Sequence, residues 1–160
     1  MDERRLIAYL RMHLAGSGAG MTTAQMLLRS QPPGELEAFL RRFLDELRGE
    51  RAVLRSLLDR FPSDRGAVRS ALDLAGGVAA GAREAVRSVT ASVHTAEDLE
   101  TLAIGVWGKR LLWGALDTLR AGEPRLEGPD YDALASQAEE QEHALLRFRQ
   151  GALDAASASA

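Results

Sequence analysis

Apolar residues recur at every third or fourth position along most of this chain, which is the spacing of a helix with one buried face. The most regular stretch predicts a helix from about Gly34 to Phe61. A first helix is predicted from about Glu3 to Ser30, although the run AGSGAG at 15–20 lies in its middle. Each glycine costs a helix interior about 1 kcal/mol relative to alanine, yet the apolar phase continues across this run. We therefore favour one continuous first helix, with a helix broken at the glycines as the alternative.

Two more helices are predicted in the middle of the chain. The segment 62–88 has an inward face of small residues. The β-branched run at 88–94 is predicted to be a linker, after which Thr95 and Asp98 have the spacing of a helix start signal close to a capping box. A fourth helix is predicted to continue from there to about Arg120.

The end of the chain contains a predicted loop at 121–129 and a last helix from Asp130 to about Leu153. No segment shows the alternation of a β-strand, so the predicted fold is all-α, a four- or five-helix antiparallel bundle. We expect a single bundle domain over residues 1–155 and a flexible tail at 156–160.

Composition and charge exclude several classes of function. With 20 basic and 23 acidic side chains spread along the chain, there is no basic stripe for nucleic acid to bind. The absence of cysteine excludes disulfides, thiolate zinc sites and iron–sulfur clusters. The sequence contains neither a signal peptide nor an apolar segment long enough to cross a membrane, so we expect a cytoplasmic protein with no membrane partner. Lys109 is the only lysine and asparagine is absent, a composition typical of a GC-rich bacterial genome.

Three polar side chains fall on predicted core stripes, where the burial of a charge requires a partner. They are His13 in the first helix, Glu50 in the second and Arg110 in the fourth, and Glu100, close to Trp107 on its helix, is a weaker fourth candidate. We predict that Glu50 pairs with Arg110. Two interpretations of the cluster stay open: a buried ion pair with a hydrogen-bonded histidine, or a pocket for a ligand or metal.

Glu140 and His143 have the Glu-x-x-His spacing found in ferritin-like di-metal sites. The apolar stripe of their own helix, however, predicts that they lie on its opposite, solvated face, while Gln141 points inward. No second Glu-x-x-His pair occurs in the chain. We therefore predict no metal ligands and no cofactor.

The segments LETLAIGVWGKRLLWGAL (99–116) and YLRMHLAGSGAG (9–20), together with the order of the helices, resemble small bacterial proteins of the ferritin-like superfamily. The resemblance implies a ferritin-like bundle. It also implies that Glu50 and Glu100 stand at carboxylate positions of a di-metal site and His13 near a ligand position.

Three functions are compatible with these patterns. We favour a non-enzymatic binding or interaction module, with stress response as one such role, that forms a homodimer. This choice follows because the last helix offers an amide where a di-metal site needs a carboxylate. The second function is a degenerate or mononuclear metal-dependent oxidase or ferroxidase that uses Glu50, Glu100 and His13. The third is a carrier of a small apolar ligand, with a pocket bordered by Trp107, Trp113 and the glycine face of the first helix.

Overall fold

The computed structural model of the chain describes residues 2–61 and 91–158. These residues contain no β-strand, so the prediction of an all-α fold is confirmed for this part of the chain. The helix predicted at 62–88 lies outside the described residues. No described helix is both long enough and apolar enough to span a membrane. The elements are the α-helices α1 (Glu3–Ser30), α2 (Glu35–Leu58), α3 (Ala91–Leu119) and α4 (Tyr131–Ala158), and the 3-10 turns Arg120–Gly122 and Pro124–Leu126.

Helix α1 runs without a break through the glycine-rich run at 15–20, so the prediction of a continuous first helix is confirmed. Asp2 caps the start of the helix, because its carboxylate accepts a hydrogen bond from the amide of Arg4 at 3.0 Å. Leu14 before the run and Ala24 after it are both buried. Packing on both sides of the run therefore offsets the weak helix propensity of its glycines.

Helix α3 begins earlier than the sequence predicts. Residues 91–94 are helical, and Thr95 lies inside the helix, so the predicted start signal at Thr95 and Asp98 is wrong. The side chains of Val93 and Thr95 are partly buried. Tertiary packing outweighs the weak helix propensity of these β-branched residues.

Helices α2 and α4 begin close to their predicted positions. Asp130 caps the start of α4, since its carboxylate accepts a hydrogen bond from the amide of Ala133 at 3.0 Å. The far end of α4 extends to Ala158, beyond the predicted end near Leu153.

The directions of the helices follow from contacts at one end of the bundle. The short turn at 31–34 makes α1 and α2 antiparallel neighbours. At the end of α2, the Arg60 guanidinium donates hydrogen bonds to the carbonyl oxygens of Arg125 (3.0 Å) and Glu127 (2.6 Å), which lie between α3 and α4. Helices α2 and α3 therefore end side by side and run in the same direction, while α1 and α4 run in the opposite one. It follows that α2 ends and α3 begins at opposite ends of the bundle.

The connection between α3 and α4 also holds other parts of the chain. The Arg125 guanidinium lies 2.8 Å from the carboxylate of Glu3 in α1 and 4.3 Å from the centre of the Phe61 ring after α2. The buried hydroxyl of Tyr131 donates a hydrogen bond to the carbonyl of Leu126 at 2.6 Å. These contacts fix the starts of α1 and α4 relative to the ends of α2 and α3.

Side chains from all four helices meet in one apolar core. Its largest members are Trp113 and Tyr131, whose rings stack with their centres 6.3 Å apart, and Phe43. Each large apolar side chain that is fully buried contributes roughly 1.5–3 kcal/mol relative to an exposed one. The fully buried aliphatic side chains are Leu10, Leu27, Leu40, Leu57, Leu99, Leu112, Leu116 and Leu126.

Candidate functional site

A layer of polar side chains crosses the apolar core at its centre. Glu50 on α2, Lys109 on α3 and Gln141 on α4 are exposed by only 4%, 8% and 3%. The Lys109 ammonium lies 2.8 Å from Oε1 and 2.7 Å from Oε2 of Glu50. It also donates a hydrogen bond to Oε1 of Gln141 at 2.5 Å. Three helices are thus joined through one buried cation.

The layer continues outward through Gln141. Its Nε2 donates a hydrogen bond to Oε2 of Glu46 at 2.6 Å, and Glu46 is partly exposed. Because both ends of the buried amide are bonded, its orientation is fixed. The Lys109 ammonium also lies 5.8 Å from the centre of the Phe43 ring, a distance at which the ring face attracts a cation.

Burial and mutual attraction act in opposite directions on this ion pair. Burial raises the pKa of Glu50 above its ordinary value, although the charge and hydrogen bond of Lys109 counteract the rise. Burial likewise lowers the pKa of Lys109, and Glu50 counteracts the fall. Each group therefore depends on the other to stay charged, and the loss of either one leaves a buried charge without its partner.

The predicted pairing of Glu50 with Arg110 is wrong, because Lys109 is the residue that reaches Glu50. One position along a helix is a rotation of about 100°, which turns Arg110 towards the outer seam with α4. Its guanidinium lies 3.3 Å from Glu139 and 3.8 Å from Glu142 there. The sequence does contain the correct signal, because position 109 continues the inward spacing of Leu102, Val106 and Trp113.

The other predicted site residues lie apart from one another. Glu100 is exposed and forms an ion pair with Arg149 of α4 at 2.7 Å. Trp107 is 48% exposed and does not line the cavity described below. His13 is partly buried and packs edge to face on the ring of Tyr9. Burial lowers the pKa of His13.

Glu140 and His143 are both exposed, so their predicted place on the solvated face of α4 is confirmed.

A cavity of about 430 Å³ lies between α1, α2 and α3. His13 and Glu50 both border it, as do Lys109 and Trp113, whereas Glu100 and Arg110 do not. The walls are mainly apolar. Four glycines widen the cavity, and a Cβ added to any of them would meet no atom within 4 Å: Gly16, Gly20, Gly105 and Gly108.

The cavity wall also contains Arg51, a residue that the sequence pattern does not mark as inward. It is 6% exposed, and its Nη1 donates hydrogen bonds to the carbonyl of Leu14 at 2.7 Å and to Oγ of Ser17 at 2.5 Å. Glu50 was predictable because it interrupts an apolar stripe, whereas Arg51 lies at the edge of that stripe. Only the position of α1 against α2 makes it a buried residue.

The polar layer does not suit a di-metal centre. Within residues 2–61 and 91–158, no three histidine or carboxylate side chains are grouped so that they could share a metal ion. Among the residues that the structure describes, Glu50 is the one buried carboxylate, and the Lys109 ammonium lies against both of its oxygens. A dication at this point would face a fixed positive charge, which is unfavourable in a medium of low dielectric constant.

Comparisons with protein-family models, with curated proteins and with solved structures find no match for this chain.

Proposed function

We propose that this chain is a cytoplasmic bacterial binding protein of ferritin-like architecture, without a di-metal centre, that holds a small and mainly apolar molecule between α1, α2 and α3. The helix directions support the architecture. Helices α2 and α3 run the same way, as do the two helices that a long crossover connection joins in a ferritin-like bundle.

The observation that carries the binding function is the cavity of about 430 Å³ with mainly apolar walls and two oppositely charged side chains, Glu50 and Lys109, at its edge. Pockets for small molecules typically enclose roughly 300–1,000 Å³ and combine apolar walls with a few polar groups. Four glycines keep this space open although alanine in their place would favour the helices. Filling such a space with larger side chains would make the bundle more stable, because protein interiors are normally close-packed.

Titration of the full chain with 1-decanol tests the proposal. Trp113 borders the cavity, so a Trp107→Phe variant leaves it as the only indole and its emission reports on the cavity. We expect saturable binding that changes this emission and raises the midpoint of thermal unfolding. Gly20→Leu fills the cavity and should abolish binding, whereas Gly49→Leu places the same side chain at an exposed glycine of α2 and should not. The absence of a saturable change with 1-decanol, with an aromatic alcohol and with the corresponding acids would contradict the proposal.

The metal-dependent oxidase or ferroxidase is the alternative that the resemblance implies. It requires His13, Glu50 and Glu100 to act on one metal, yet Glu50 is paired with Lys109 and Glu100 with Arg149. These ion pairs favour the metal-free function. Elemental analysis of protein expressed with added iron or manganese decides between the two, because one metal per chain would support the enzyme.

We further propose that the protein pairs with a second copy of itself through the outer side of α3. Ile104, Trp107 and Leu111 form an exposed apolar row there at helical spacing. Two copies of α3 packed antiparallel about a twofold axis would bury the two rows against each other, whereas the charges beside the row, Glu100 and Arg110, are already paired with α4 of the same chain. Light scattering should give a mass of twice 17.3 kDa. A monomer at micromolar concentration would contradict this pairing.

A further inference from the structure

Arg51 is a buried cation in the cavity wall, and no carboxylate of the described residues forms an ion pair with it. Its two hydrogen-bond acceptors, the carbonyl of Leu14 and the hydroxyl of Ser17, are neutral. Arginine stays charged in proteins, and the burial of a charge without a counter-charge is strongly unfavourable. The described part of the chain therefore leaves one buried positive charge that an anion could neutralise.

One edge of the guanidinium has no hydrogen-bond partner in the described part of the chain. Both hydrogen bonds come from Nη1, whereas Nε and Nη2 make none within residues 2–61 and 91–158. The N–H groups of Nε and Nη2 point in parallel and can bind both oxygens of a carboxylate at once. The guanidinium lies beside Gly18 of α1, where an added Cβ would stand 3.4 Å from Nη1 and 3.8 Å from Nη2, which is ordinary contact distance.

The surroundings of Arg51 are positively charged. It lies between the cavity and a cleft of about 320 Å³ on the outer side of α1 and α2, which Arg48 and Arg55 also line. No acidic side chain of the described residues lines this cleft. Burial, and to a smaller extent the charge of Arg55, holds the pKa of Arg51 below its ordinary value. An anion next to Arg51 would favour the charged guanidinium and so raise its pKa again.

We propose that the ligand of the cavity carries a carboxylate, which binds the Nε and Nη2 edge of Arg51 while its apolar body lies in the cavity towards Trp113. This inference rests on the proposed binding function and names the chemical class of the ligand. A carboxylate fits better than a phosphate dianion, because a single charge costs less to transfer into a mainly apolar enclosure. The apolar body belongs to either an aliphatic or an aromatic acid, and the test includes both.

The test compares ligands that share a body and differ in the head group. Decanoate and 1-decanol form the aliphatic pair, and 3-phenylpropanoate and 3-phenylpropanol form the aromatic pair. All four are titrated by calorimetry and Trp113 emission into the full Trp107→Phe chain, below the concentration at which decanoate forms micelles. We expect the acid of at least one pair to bind tenfold or more tightly than its alcohol. The pair with the larger difference identifies the body.

Substitution of Arg51 assigns the preference to its side chain. Arg51→Gln should bring the affinity for the acid to within threefold of that for the alcohol and leave the alcohol unchanged. Arg41→Gln, a matched change at an exposed position of α2 that lines neither the cavity nor the cleft, should alter neither affinity by more than threefold. If Arg51→Gln does not fold, Arg51→Lys keeps the charge without the parallel donors and should reduce the preference at least threefold.

The outcomes separate this inference from the function on which it rests. If none of the four compounds binds, the binding function itself is wrong. If the alcohols bind and the acids bind no better, the cavity binds apolar ligands, and the proposal that the ligand carries a carboxylate is wrong. If the acids are preferred but a folded Arg51→Gln protein leaves the preference intact, or Arg41→Gln abolishes it, Arg51 is not the residue that binds the carboxylate.

Discussion

Lys109 and Arg110 are adjacent in the sequence and carry the same charge, yet only Lys109 is buried against a carboxylate. Glu50 and Gln141 hold the Lys109 ammonium inside the core, whereas Arg110 reaches Glu139 at the surface. A buried ion pair gains little net stability over apolar residues of the same size, but it fixes which side chains must face each other. Surface pairs are weak because water and salt screen them.

This difference predicts unequal costs for two matched substitutions. Lys109→Met leaves Glu50 buried without its partner and should lower the free energy of unfolding by about 3–5 kcal/mol. Arg110→Met should lower it by less than about 1 kcal/mol. The double change Glu50→Met with Lys109→Met should recover a large part of the loss, since it removes both charges. Urea denaturation measures all three, and similar losses for Lys109→Met and Arg110→Met would contradict the assignment of the buried pair.

From the partial burial of His13 we predict that the stability of the protein depends on pH. Burial lowers its pKa below the ordinary value of 6.5, so the unfolded chain binds a proton more readily than the folded one. The stability that neutral His13 contributes is complete above pH 6.5 and is lost as the pH falls through the folded pKa. For one proton, the free energy of unfolding cannot change by more than about 1.4 kcal/mol per pH unit. Urea denaturation between pH 7.5 and 5, roughly the window of histidine titration, should show a shallower slope for His13→Gln than for the unchanged protein. The exposed His143→Gln control should keep the original slope.

At the scale of single elements, the regularity of the apolar pattern decides what the sequence can predict. Helix α2 lies almost where its stripe predicts it, because leucines and phenylalanines recur at helical spacing on both sides of Glu50. The start of α3 was not predictable from Thr95 and Asp98, since the packing of Val93 and Thr95 extends the helix beyond that local signal. Glu50 was predicted to be buried from its own helix alone. For its partner the sequence leaves two candidates, because Lys109 continues the inward spacing of α3 and Arg110 lies at the edge of the same stripe. Only the packing of α3 against α2 decides between them.

The glycines of α1 give a prediction at this scale. Gly16 and Gly20 have open space where a Cβ would stand, and both are in regular helix. Gly16→Ala and Gly20→Ala should therefore each raise the free energy of unfolding by roughly 0.5–1 kcal/mol. Gly18→Ala should gain less, because its methyl group would lie 3.4 Å from Arg51. Urea denaturation tests the series, and a loss of stability in Gly16→Ala would show that this side of α1 is packed more tightly than the geometry indicates.

At the scale of the whole molecule, α3 presents different faces to different surroundings. Leu102, Val106 and Lys109 line the cavity, while Ile104, Trp107 and Leu111 are exposed on another side. The proposed ligand and the proposed second copy of the chain therefore use separate faces of one helix. Binding free energies at two sites that do not share contacts are expected to be independent unless both sites favour the same conformational change.

This independence is testable with one variant. Trp107→Gln combined with Leu111→Gln removes the apolar row and should give a monomer by light scattering, with ligand affinity within threefold of the unchanged protein. Met26→Gln changes an exposed methionine of α1 and should leave the dimer intact. Circular dichroism should show the same helix content in the unchanged protein, the double variant and Met26→Gln, because neither substituted side chain of α3 is buried in the core. A double variant that stays dimeric would place the interface elsewhere. A monomer that also loses the ligand would show that the second copy helps to enclose the cavity, and the two proposals would then describe one site.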